Sequence, residues 1–207
     1  MLKRAVDVIV ALALGLALLP ACICIAVAVR GTSKGTALFG QERAGRHGRP
    51  FTLYKFRTMR MDVDPFGPSP HKADDPRLTQ VGRFLREHSL DELPQLWNVL
   101  KGDMSLVGPR PLYVAQMAEW DQRQRRRLEV KPGLTGLAQI AGRGGLTREQ
   151  KLELDVQYVE TAGIGLDLKV LLATIGLVFK RDTIYERQYS QTEKARGEAS
   201  RTPVGQP

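Results

Sequence analysis

Asp91 and Glu92 are adjacent carboxylates in a stretch otherwise crowded with cations. Arg86 lies five residues before Asp91 and His88 three before, with the basic run YKFRTMR (54–60) upstream and Gly108-Pro109-Arg110-Pro111 downstream. The dyad has two readings. Ser89 followed three residues later by Glu92 has the spacing of a capping box, and Asp91 suits the positive end of a helix dipole. The same helix terminus, flanked by arginines, suits phosphate, and a carboxylate placed there can attack phosphorus or coordinate Mg²⁺.

The basic residues sort by how rigidly the chain presents them. Lys55 and Arg57 are two apart, so on a strand they share a face, where they would neutralise a diphosphate or simply meet solvent. Arg110 stands between Pro109 and Pro111, whose fixed φ angles present its guanidinium with little entropy left to lose. Arg143, in QIAGRGG, has glycines on both sides that permit close approach to a ligand. No GxxxxGK[ST] loop and no strand-coupled GxGxxG occurs, and His47, His71 and His88 lack metal-ligand spacing. P-loop kinases and dinucleotide oxidoreductases are excluded by those signatures.

The elements that must carry these residues fit one domain. The chain has 207 residues and a net charge of +9, which favours anionic partners: phosphates, nucleic acid or an acidic lipid surface. Its only cysteines, Cys22 and Cys24, lie in an apolar run and fit a reducing compartment. From Val8 to Val29 no residue is charged. At ~1.5 Å per residue such a helix is roughly 33 Å long, enough to cross the hydrocarbon core and longer than a signal-peptide core. Lys3 and Arg4 precede it, and Arg30, Lys34 and Arg43 follow it; positive flanks resist translocation, so both ends prefer the cytoplasm. With Pro20 near the middle, the expectation is a kinked, re-entrant helix over residues 1–30, an ordinary spanning anchor being the alternative. Asp7 is placed to pair with Lys3 or Arg4 one turn away.

Beyond residue 30 the pattern predicts a basic α+β domain to about residue 189, followed by a flexible tail, 190–207. TALFG and PFTLYKF read as two strands of a small hairpin joined by the basic loop QERAGRHGR. An irregular connection carries prolines 65, 68, 70 and 76. Helices are expected over 79–87, from Ser89 to Gly102, over 111–130, over 147–158 and over 164–180, the last too short and charged to span and placed in the core or at the membrane interface. Tyr113, Met117 and Trp120 form an apolar stripe that would serve either the core or a homodimer, and Arg123 to Arg127 a basic one.

Taken together, these segments resemble the small monotopic bacterial sugar transferases, the polyprenyl-phosphate phosphoglycosyl transferases. The resemblance runs from KRAVDVIVALALGLALLP through FGQERAGRHGRPFTLYKFRTM and VGRFLREHSLDELPQLWNVLKGDMSLVGPRP to KPGLTGLAQIAGR and LELDVQYV. It implies a monotopic enzyme on the cytoplasmic face of the bacterial inner membrane, with its first helix re-entrant. It also implies transfer of a phosphosugar from a nucleotide-sugar donor, usually a UDP-sugar, to undecaprenyl phosphate, with UMP released. On that basis Asp91 is the nucleophile, and Mg²⁺ is held by Asp91 and Glu92. Glu92 holds the metal or takes the acceptor's proton. Arg86 grips a phosphate, the Pro109-Arg110-Pro111 turn and Arg143 meet the nucleotide side of the donor, and Lys55 and Arg57 assist. Membrane lipids are implied as partners and nucleic acid is not; a nucleic-acid binder or a lipid-docked adaptor would leave the dyad without a task.

Overall fold

A computed structural model describes residues 2–63, 70, 74–142 and 145–178. Arg143, the tail 190–207 and most of the proline-rich connection lie outside the described residues. Helix α1, Leu2–Thr32, is a single run with Pro20 inside it. It is long and apolar enough to cross a membrane, and only 6% of its most apolar stretch is buried against the rest of the chain. Ile9, Leu16, Ile23 and Val27 are all more than half exposed, an arrangement that a lipid environment favours and water does not.

The first turns of α1 are fastened to the domain. Asp7 is buried, and its Oδ1 accepts from Ser105 Oγ at 3.1 Å and Leu106 N at 3.0 Å. Lys3 donates to Asp167 Oδ2 at 2.6 Å and to the Val107 carbonyl at 3.2 Å, while Arg4 donates to the Val99 and Leu100 carbonyls. The expected pairing of Asp7 with Lys3 or Arg4 is therefore not formed, because each of the three finds a partner across the fold.

Strands β1, Leu38–Ala44, and β2, Pro50–Phe56, form an antiparallel hairpin with Phe39 opposite Lys55, Gln41 opposite Leu53 and Arg43 opposite Phe51. The hairpin is as expected, yet β1 runs through Gln41 to Ala44, which the sequence pattern assigns to the loop. Only Gly45 to Arg49 turn the chain, with His47 and Gly48 at positive φ. Helix α2, Gln80–Glu87, starts where Thr79 accepts from Gly82 N at 2.8 Å. A Cβ at Gly82 would lie 2.0 Å from the Thr58 carbonyl, so glycine lets α2 sit directly on that segment.

After a 3-10 turn at Leu90–Glu92, helix α3, Gln95–Lys101, ends at Gly102, whose φ is +95°. Asn98 is fully buried; it accepts from Tyr54 N at 3.1 Å and donates to the Thr52 carbonyl at 2.7 Å, pinning α3 to β2. Strand β3, Ser105–Val107, pairs in parallel with β4, Gly133–Thr135, a contact the sequence pattern misses. The helix expected over 111–130 is broken into a 3-10 stretch at Val114–Glu119, helix α4 at Gln122–Arg125 and a 3-10 turn at Arg126–Glu129. Trp120 is extended between the first two pieces, where Asp121 caps α4. Met117 and Trp120 nevertheless pack inward with Ala44, Leu128 and Leu152, so this part of the apolar stripe serves the core.

Helices α5, Leu137–Ala141, α6, Arg148–Thr161, and α7, Ile164–Val178, complete the described fold. Thr147, the first residue of the helix expected over 147–158, is the cap of α6, which runs three residues beyond the expected end. The main core gathers Ala11 of α1, Leu53 of β2, Leu96 and Val99 of α3, Leu106 and Val107 of β3, Tyr158 of α6 and Val170 of α7. Helix α7 packs Val170 into that core while Leu168, Leu172 and Ile175 stay exposed on its outer face.

The β3–β4 pair depends on backbone approaching backbone. A Cβ at Gly133 would lie 2.1 Å from Gly108 N and 2.4 Å from the Thr135 carbonyl. Gly133→Ala is therefore expected to lower stability by roughly 1–3 kcal/mol, as for overpacking in a rigid site, read as a drop in the denaturation midpoint of the detergent-solubilised chain.

Candidate active site

Three segments distant in sequence converge on the dyad. The 3-10 turn Leu90–Glu92 supplies Asp91 and Glu92, β2 supplies Lys55, and the turn after β3 supplies Arg110. Glu92 Oε1 receives Lys55 Nζ at 2.7 Å and Arg110 Nη2 at 2.8 Å. The capping-box reading is overturned here. Ser89 adopts the left-handed conformation, φ 55°, and makes no capping hydrogen bond, because the chain turns sharply to bring Glu92 to its two cations.

Asp91 is 6% exposed, and among the described residues its carboxylate has no hydrogen-bond donor. Its nearest cation is Lys55, with Nζ 3.9 Å from Oδ2. Burial pushes its pKa above the ordinary carboxylate value; Lys55 opposes that, the Glu92 charge adds to it, and Arg86 and Arg110 oppose it again. Glu92 goes the other way. Burial disfavours its charge, but Arg110 and Lys55 outweigh burial and hold it well below the usual range. Neighbouring carboxylates with pKa values driven apart are the pattern of groups with different tasks.

The backbone of the Pro109-Arg110-Pro111 turn is held on both sides while the Arg110 side chain stays exposed. The Pro109 carbonyl accepts from Gly133 N at 2.8 Å, and the Arg110 carbonyl accepts from Arg127 Nη2 at 2.5 Å. Arg127 is itself buried against Asp155, 2.5 Å away, with the two side chains 2% and 3% exposed, and lies over the Trp120 ring. Arg86 Nε donates to Thr58 Oγ1 at 2.9 Å and adds positive charge near Asp91.

Arg57 is not brought to the dyad. Strand β2 ends at Phe56, and the Arg57 guanidinium turns to the Ser33 and Lys34 carbonyls beyond the end of α1. The shared face of Lys55 and Arg57 is thus lost at the strand's last residue. Arg143 lies outside the described residues. Sequence reasoning missed Gln41, Arg43 and Tyr113 beside the site and Arg127 and Asp155 behind it. The spacing of Gln41 and Arg43, on a strand paired with the one carrying Lys55, was the available signal for the first group.

No group of three metal-ligating side chains occurs among the described residues. Asp91, with no hydrogen-bond donor among the described residues, remains able to coordinate a cation, whereas Glu92 already accepts two charged donors at Oε1. This donor set fits Mg²⁺, which keeps several waters and commonly takes one or two protein carboxylates plus substrate phosphates.

The family profile described as bacterial sugar transferase matches residues 1–181. The chain belongs to this family. An uncharacterized sugar transferase, EpsL, of Bacillus subtilis is 50% identical over 159 residues, 77% of this chain and 78% of that protein. The UDP-glucose:undecaprenyl-phosphate glucose-1-phosphate transferase of Caulobacter vibrioides is 43% identical over 197 residues, 88% and 72% of the two chains. A galactosyl transferase, CpsE, of Streptococcus agalactiae is 46% identical over 156 residues, 70% of this chain and 35% of that one. Against several such longer relatives the transferase spans only 35% to 42% of their length.

The Asp91 environment has a consequence for stability. A carboxyl whose folded pKa is raised contributes stability while protonated and loses it as pH rises through the folded value. Asp91→Asn is therefore expected to melt at a higher temperature than the wild-type transferase at neutral pH, with the gap closing as pH falls toward the ordinary carboxylate range. Thermal unfolding across a pH series measures it.

Proposed function

We propose that the transferase moves a phosphosugar from a UDP-sugar to undecaprenyl phosphate through a covalent intermediate on Asp91. The observation that carries this reading is the buried, poorly compensated Asp91 carboxylate set among Lys55, Arg86 and Arg110. Such a carboxylate is desolvated and unencumbered, as a nucleophile must be, and the surrounding cations suit a diphosphate. In the first step an Asp91 oxygen bonds to the sugar-bearing phosphorus while the bond to the UMP oxygen breaks, and UMP leaves with that electron pair. In the second, a phosphate oxygen of the lipid attacks the same phosphorus and Asp91 is released.

Glu92 is clamped by two cations and weakly basic, which favours a positioning task over taking the acceptor's proton. Arg110, held at its carbonyl by Arg127, aims its guanidinium from a fixed backbone. Mg²⁺, held by Asp91 together with donor phosphate oxygens, would neutralise charge on the leaving phosphate. The names of relatives that act on UDP-glucose or galactose and undecaprenyl phosphate support the substrate class.

A lipid acceptor requires a site at the membrane. In this reading α1 enters and leaves the cytoplasmic leaflet of the bacterial inner membrane, bent at Pro20, with the basic residues at both ends facing the cytoplasm. In a variant with Cys22 and Cys24 replaced, a cysteine introduced by Leu2→Cys is expected to resist a membrane-impermeant reagent added from the periplasm; labelling there would refute the topology. For the chemistry, purified transferase supplied with UDP-sugars, Mg²⁺ and undecaprenyl phosphate is expected to release UMP. Asp91→Asn should reduce that release by at least ~1,000-fold while retaining the fold. Intact mass of the wild type with donor alone should show a phosphosugar adduct, and product formation without any adduct would defeat the nucleophile assignment.

A further inference from the structure

The same hairpin face that carries Lys55 also carries Arg43. Residues directly opposed across an antiparallel pair share a face, as do alternate residues along a strand. Phe39 opposite Lys55, Gln41 opposite Leu53 and Arg43 opposite Phe51 therefore place Lys55, Gln41 and Arg43 on one side of the ribbon. Lys55 leads directly to the dyad through Glu92.

Arg43 is fixed in place without being neutralised. Its guanidinium carbon lies 3.6 Å from the centroid of the Tyr113 ring, and its Nη2 donates to Gln41 Oε1. Gln41 Nε2 in turn donates to the Tyr113 hydroxyl at 3.0 Å, closing a rigid triangle. Among the described residues no carboxylate lies within ion-pair distance of Arg43, and its buried Nε has no hydrogen-bond partner. Burial pushes its pKa down to about 10; Tyr113 opposes that, Arg110 adds to it and Glu92 opposes it. The one carboxylate in that set, Glu92, is already paired with Lys55 and Arg110 through Oε1 and makes no ion pair with Arg43 among the described residues. A half-buried cation without a counter-ion is unfavourable unless something supplies the anion.

We propose that Arg43, held by Tyr113 and Gln41, is an anion-binding residue of the active site and receives a phosphate-type oxyanion from outside the chain. The chemistry is shared by the diphosphate of a nucleotide-sugar donor and the phosphate monoester of a lipid acceptor. The inference rests on the reading that this site handles phosphates and adds to it a group contributed by β1. Lys55, Arg86, Arg110 and Arg43 outnumber the carboxylates Asp91 and Glu92, and the surplus of positive charge suits a doubly charged phosphate compound.

The test uses the full chain in detergent, titrated separately with inorganic pyrophosphate and with undecaprenyl phosphate, with affinity and melting temperature both read. Arg43→Gln should weaken binding of at least one probe about tenfold or more, the loss of a charge-assisted hydrogen bond. Arg43→Lys should recover part of it, and the ligand-free melting temperature of Arg43→Gln should match or exceed that of the wild type. A loss confined to pyrophosphate assigns the subsite to the donor, and one confined to the lipid assigns it to the acceptor. Unchanged affinity for both probes overturns the proposal. So does a fall in ligand-free melting temperature, or failure to fold, in both variants, because the guanidinium would then serve packing on Tyr113. Loss of pyrophosphate binding in Arg43→Gln, with no UMP release by the wild type from any UDP-sugar, would leave the anion site standing and remove the proposed reaction instead.

Discussion

Glu92 is an anion shared by two cations that arrive from separate parts of the chain, Lys55 from the hairpin and Arg110 from the turn after β3. Each contact is charge-assisted and partly shielded from water, conditions under which an ion pair gains most from good geometry. The same contacts decide what happens one residue earlier. With Lys55 and Arg110 committed to Glu92, Asp91 is left buried and only distantly compensated. One carboxylate is held ionised by its contacts, and its neighbour is left with burial and a single cation at 3.9 Å.

Around this centre the backbone is held by features that have no charge of their own. Gly108 and Gly133 allow two strands to meet without side chains between them, which carries the Arg110 turn to within reach of the dyad. Asn98 fixes the helix following the dyad to the strand bearing Lys55. Behind the turn, Arg127 and Asp155 form a dehydrated pair that presents Arg127 to the Arg110 carbonyl. Removing one member of such a pair strands the other, so it serves geometry more than net stability.

How far the sequence discloses all this depends on how local each signal is. The helices expected to begin at residues 79 and 147 do begin there, each on a threonine cap, and the hairpin follows from its alternation and turn residues. The dyad and the Pro-Arg-Pro turn were legible because proline and adjacent carboxylates leave few conformational choices. Ser89 and Glu92 mislead for the opposite reason: a short-range capping signal was overruled by ion pairs to residues far along the chain. Gln41 to Ala44 read as loop because polar side chains occupy both faces of β1, one toward solvent and one beside the site. Strands β3 and β4, three residues each, are too short to show any period, and the stretch 111–130 has helical spacing yet is interrupted where Trp120 turns into the core.

The contacts of Lys3, Arg4 and Asp7 change what α1 is. A foreign hydrophobic segment spliced in its place would still hold the domain to lipid, but Ser105 and Leu106 would lose their acceptor and Asp167 its cation. The anchor is not interchangeable luggage. Its opening turns are masonry of the catalytic half, so the bilayer and the chemistry are joined by rigid backbone rather than by a tether.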